Sequence, residues 1–180
     1  MAQKKKNRGK QFESVVRACF EKVPDISVDR IHDQTTKYKG STNICDFVVY
    51  KMPHLFYLEC KSVYGNVLSI FSNPTPDKKG VLHGFHGNIT DAQWDGLTEK
   101  AKIPGVIAGI IVWFIDRNTT LFVPIQELNR AYNNGRKSIR FDDHPALAIA
   151  GKKKRIVFDY NMEAFLQEVV PWQALVCSTI

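Results

Sequence analysis

ICDFVVYKMPHLFYLECKS, residues Ile44 to Ser62, reads as an apolar strand, a short Lys51-Met52-Pro53-His54 turn and a second strand rich in aliphatic and aromatic residues. Three charges interrupt this hairpin: Asp46, Glu59 and Lys61. Residues two apart on a strand share a face, so Glu59 and Lys61 project together while Cys60 points the other way. Charges within a sheet are unfavourable unless they pair or hold a metal. If Asp46 stands at the same end of the hairpin, two carboxylates and an ammonium converge. Such a set suits Mg²⁺, which takes oxygen ligands and keeps positions for waters and phosphate oxygens. It also suits phosphodiester hydrolysis, with Lys61 orienting water or meeting charge that develops on the phosphate. Charged alternation is also ordinary on half-exposed strands, so a structural ion pair is the competing reading.

The chain around the hairpin has 180 residues and 20.5 kDa, enough for one core and one domain. Its formal charge of +7 and pI near 9.2 favour an acidic partner and say nothing about fold. Cys19, Cys45, Cys60 and Cys177 have no zinc-type spacing and sit in apolar segments, as expected of reduced, buried thiols in a cytoplasmic protein. No apolar run reaches transmembrane length and no secretory leader follows the basic start, so no membrane is expected as a partner.

Residues 1–10 carry five positive charges (Lys4, Lys5, Lys6, Arg8 and Lys10) and read as a flexible arm able to lie along phosphates, or as a frayed solubilising end. Phe12, Val15, Val16, Cys19, Phe20 and Val23 then form a helical stripe ending before Pro24. Glu13 lies beside that stripe, either as an i,i+4 partner of Arg17 or as a site residue if the helix crosses the hairpin's mouth. After a short strand at Ile26 to Ile31, the polar stretch 32–43 leads to Asp46. Its Thr35, Lys37 and Lys39 are suitable phosphate-contacting types.

Beyond Lys61, residues 64–88 form an irregular insertion with turn signals at 73–76 and 77–80, in which 67–71 and 81–85 are candidate paired strands. Lys78 and Lys79 make it a candidate DNA-facing flap. Thr90 and Gln93 fit a capping box opening a helix to about Lys102, and the alternative for Gln93 is a place beside the scissile phosphate. Val106 to Ile115 is an interior strand, Leu121 to Val123 its return, and 124–134 a short helix. Asp142-Asp143-His144, ahead of an Ala-rich segment, reads as a turn or helix start in preference to a second metal cluster. Lys152, Lys153 and Lys154 form a basic turn, and Asn161 caps a last helix.

Asp46, then Glu59-Cys60-Lys61, then a helix bearing Gln93 resembles the PD-(D/E)xK nuclease superfamily, and within it the Holliday-junction resolvases of the RecU and archaeal type. The resemblance spans roughly Gly9 to Leu128 and departs at Ile44-Cys45 and at the broad 64–88 connection. It implies an α/β, restriction-endonuclease-like core: a central mixed sheet flanked by helices, following the basic arm as a single nuclease domain over 11–180. By the same resemblance Asp46 and Glu59 are metal ligands for Mg²⁺ or Mn²⁺, Lys61 positions water, and Glu13 and Gln93 assist. A homodimer making paired cuts in branched double-stranded DNA is also implied. Restriction-type or nicking cleavage, and DNA binding without catalysis, remain the alternatives.

Overall fold

The computed structural model describes residues 8–31, 43–70, 75–76, 82–83, 87–143, 146–154 and 157–177. Helix α1 is Arg8–Phe20, followed by strands β1 (Ser27–Arg30), β2 (Phe47–Lys51), β3 (His54–Val63), β4 (Val67–Ser69), β5 (Thr75–Pro76) and β6 (Leu82–His83). Then come α2 (Asp91–Ala101), β7 (Val106–Phe114), β8 (Thr119–Pro124) and α3 (Ile125–Asn133). Strands β9 (Ser138–Arg140), β10 (Leu147–Ala148), β11 (Gly151–Lys154) and β12 (Val157–Tyr160) precede α4 (Met162–Cys177).

Six strands form one mixed sheet in the order β1-β2-β3-β7-β8-β10. The expected hairpin is present as β2–β3, with Phe47 opposite Leu58 and Lys51 opposite His54. Strand β3 then runs parallel to β7, Glu59 beside Ile110 and Lys61 beside Val112. A parallel pair needs a crossover, and α2 occupies that connection. Residues 107–114 are buried throughout, as their unbroken apolar run requires.

Two cores follow from strand alternation. Phe56, Leu58 and Cys60 face a core with Phe12, Val16 and Phe20 of α1 and Phe165 and Val169 of α4. Residue Val63, with half-buried Tyr57, faces the other core with Trp94 and Leu97 of α2 and Leu128 of α3. The architecture is thus the α/β, restriction-endonuclease-like core expected of the chain: a mixed sheet between helices. Among the described residues no helix is long and apolar enough to cross a membrane.

Several local expectations are corrected. Helix α1 already includes Arg8 and Lys10, so these belong to its first turn and not to a loose arm. Strand β4 pairs with β9, which buries Leu68 with Ile139 under the α3 side of the sheet, while Leu82–His83, the described part of 81–85, pair with β5. The Ala-rich segment forms edge strand β10, whose backbone serves the open edge of β8, so it starts no helix. Basic residues 151–154 form strand β11 instead of a turn. Its Gly151 lies so close to the Tyr160 ring that a Cβ there would stand 2.8 Å from Cδ1. Helix α4 runs through Pro171 to Cys177, so the apolar tail beyond Trp172 starts as helix.

Candidate active site

Asp46 stands where β2 gives out. Its amide donates to the Leu58 carbonyl (3.1 Å) and its carbonyl accepts from the Ile31 amide (2.9 Å). Its Oδ2 accepts from the Cys60 amide at 2.8 Å. The first bond is out of step with the Phe47–Leu58 pairing, and the carboxylate takes an amide that a continuing strand would have met with backbone. Asp46 is thereby fixed by both neighbouring strands, beside the β3 segment that carries Glu59.

Glu59 is only 3% exposed. Its Oε1 accepts from Lys61 Nζ at 2.8 Å and from Gln93 Nε2 at 2.7 Å. Lys61 Nζ also reaches Gln93 Oε1 at 3.2 Å. The capping box forms as well: Thr90 Oγ1 accepts from the Gln93 amide at 3.3 Å, and the Thr90 amide donates to Gln93 Oε1 at 3.0 Å. One amide side chain therefore caps α2 and clamps Glu59 and Lys61. The capping reading of Gln93 is met, and its Nε2 stays available to hold Glu59. Helix α2 comes close enough for this because residue 96 is glycine; a Cβ there would stand 2.3 Å from Ile44 Cγ2.

Burial, then the Asp46 charge, pushes the Glu59 carboxyl up to about 7 despite Lys61 and Gln93. Asp46 is also raised, by burial first and by Glu13 next among its neighbouring charges, with Lys61 and Arg30 opposing. Burial and the same acids lift the Cys60 thiol well above its usual value. The site is thus short of positive charge.

Glu13 pairs with Arg30 across α1 and β1, while Arg17, its sequence-expected partner, pairs with Glu21 at 2.8 Å. Glu13 acts on the site as a neighbouring charge, without a bond to Glu59, Lys61 or Gln93 among the described contacts. Arg30 was absent from the sequence reading. Its signal was present in Ser27-Val28-Asp29-Arg30, where Arg30 shares the half-buried face of Val28.

Among the basic candidates, Arg8 Nη1 donates to Gln11 Oε1 at 3.2 Å and Lys10 is exposed. Lys152 and Lys153 are exposed on β11, and the Lys154 backbone closes that strand. Lys4, Lys5, Lys6, Thr35, Lys37, Lys39, Lys78 and Lys79 lie outside the described residues. Asp142 and Asp143 are committed to Arg140 (3.0 Å) and Arg136 (2.6 Å), which leaves them to turn chemistry.

Among the described residues, no three His, Cys, Asp or Glu side chains gather into a metal-holding group. The donor set on the sheet is two carboxylates. Glu59 Oε2, however, is buried with no hydrogen-bond partner among the described residues. A buried carboxylate oxygen in that condition calls for a proton or a cation, so the pair fits an oxygen-seeking divalent ion.

No protein-family profile matches the chain, and no curated protein matches it. Among solved structures it is similar to Hjc, a Holliday junction resolvase from the archaeal hyperthermophile Archaeoglobus fulgidus, at 16% identity and a TM-score of 0.42. The match covers 66% of this chain and 78% of that one. A likeness of this size leaves function to the chain's own side chains.

Proposed function

We propose that this chain is a metal-dependent, structure-selective DNA endonuclease that resolves four-way junctions by paired phosphodiester cleavage. The observation that carries hydrolysis is the buried Oε2 of Glu59, without a partner among the described residues, in a carboxylate held by Lys61 and Gln93 and electrostatically coupled to Asp46. Asp46 and Glu59 would hold Mg²⁺ or Mn²⁺. When bound, such an ion polarises a phosphoryl oxygen and lowers the pKa of an attacking water.

The chain's own groups do the rest. Lys61 Nζ would meet the negative charge that grows on the phosphate, and its bonds to Glu59 and Gln93 restrict the freedom a lysine normally has. Fixing the ammonium before substrate arrives avoids reorganisation during reaction. Glu13 and Arg30 shape the field at Asp46 from the opposite side of the sheet. The four-way junction as substrate, and the homodimer that would make paired cuts, are supported by the motif resemblance. Two symmetric active sites suit a nearly symmetric branch read through backbone shape.

The test offers a labelled four-way junction and a matched linear duplex in Mg²⁺ and maps cuts on every strand. Paired cuts confined to the junction are expected. Equal cutting of linear duplex would make the chain a restriction-type or nicking enzyme instead. Junction binding without cutting in either Mg²⁺ or Mn²⁺ would make it a binding protein whose hairpin charges form a structural pair.

A further inference from the structure

Beyond the cluster, β3 delivers the chain to a rim at the same end of the sheet. Val63 and Phe114 are partners in the parallel register, so residues after them leave β3 and β7 side by side. Tyr64 is 66% exposed, an uncommon state for a large ring. Its neighbour is anchored: the Gly65 amide donates to Asp116 Oδ2 at 2.6 Å. Arg117 Nε donates to Asn66 Oδ1 at 2.5 Å, and its guanidinium lies 4.9 Å over the Phe141 ring. On the far side of the same turn, Lys153 Nζ donates to Asn118 Oδ1 at 3.1 Å.

Both cations are thus positioned through neutral amides. Of the acids alongside, Asp116 accepts from the Gly65 amide, and Asp142 pairs with Arg140 while also feeling the Arg117 charge. Two cations held at the 115–118 turn and an exposed ring on the turn after β3 match a nucleic-acid strand, with phosphates on the charges and a base on the ring. Lys61 to Tyr64 is three residues, about 10 Å of strand, or about three nucleotides at stacked spacing.

We propose that Tyr64 stacks on an exposed base of a DNA branch while Arg117 and Lys153 hold the flanking phosphates, about three nucleotides from the bond addressed by Lys61. This rests on the endonuclease reading for its substrate, but its readout is binding. The probe is a four-way junction carrying 2-aminopurine at successive positions outward from the branch, with no divalent ion present. The parent protein should quench one or two adjacent positions, since stacking quenches that base. Tyr64→Phe should keep the quench and Tyr64→Ala lose it. Arg117→Gln and Lys153→Gln should each reduce the slope of log K against log salt by about 0.9, the value of one phosphate contact.

Unchanged quenching by Tyr64→Ala, or unchanged salt slopes in both cation variants, would overturn the proposal. If the parent cuts junctions while these variants bind as the parent does, the rim fails and the endonuclease reading stands. If the rim signals appear but nothing is cut in Mg²⁺ or Mn²⁺, the endonuclease reading fails and the rim stands. No junction binding by the parent without divalent ion overturns the rim, and no cutting in Mg²⁺ or Mn²⁺ besides overturns both.

Discussion

Glu59 carries the tension of the site. A carboxyl moved from its ordinary 4.5 to about 7 holds its proton more tightly in the folded protein than in the unfolded chain. The stabilisation this gives is complete below pH 4.5 and is lost as pH rises through about 7, a difference of roughly 3 kcal/mol at most. Without divalent ions, the parent should therefore lose stability relative to Glu59→Gln between pH 4.5 and 8. Urea unfolding of both proteins across that range measures it, and parallel curves would contradict it. Added Mg²⁺ or Mn²⁺ should raise the parent's melting temperature at pH 8 and leave Asp46→Asn unmoved. Lys61→Ala should slow junction cleavage far more than it weakens junction binding; equal losses would place that lysine in binding alone. At this scale the sequence was informative wherever period-2 alternation set direction: Glu59 and Lys61 do share a face, and Cys60 does point away. Arg30 and the Glu13 link were hidden because pairing between α1 and β1 depends on packing, which no local spacing records.

Helix α2 connects the site to the fold through its first turn. Thr90→Ala removes the hydroxyl that caps α2 and so should lower stability by about 1 kcal/mol. Cleavage should fall with it if Gln93 drifts from Glu59. Gly96→Ala drives a methyl into Ile44 and should destabilise by about 1–3 kcal/mol. Adding Ile44→Ala should recover part of that loss, and a double-mutant cycle in urea would show the coupling. The long elements were legible because their apolar periods extend over several turns or many strand positions, as in α1 and β7. Short strands β1 and β4 were also placed, within 26–31 and 67–71, but the partners of the short strands were not. Strand β4 chose β9 for burial of Leu68 against Ile139, and β10 formed because β8 offers an open edge. Both outcomes are decided by partners far away in sequence.

For the molecule as a whole, the net charge of +7 predicts an electrostatic share in DNA affinity. Junction affinity should fall log-linearly with salt, by a slope of about −0.9 per phosphate contacted. A flat response would contradict backbone recognition. The hairpin, the buried strand and the helix between them were readable from the residues, while their assembly into a mixed sheet was what the motif resemblance implied. The substrate of the proposed endonuclease depends on surfaces that composition describes only as basic.

The most direct measurement is cleavage of a labelled four-way junction in Mg²⁺ by the parent protein and by Glu59→Gln, with binding followed in parallel. With Glu59 as the metal-holding carboxylate, the expected outcome is paired cuts by the parent, none by the variant, and similar junction affinity for both. Cutting by Glu59→Gln at the parent's rate would contradict it, because hydrolysis would then proceed without the carboxylate at the centre of the site.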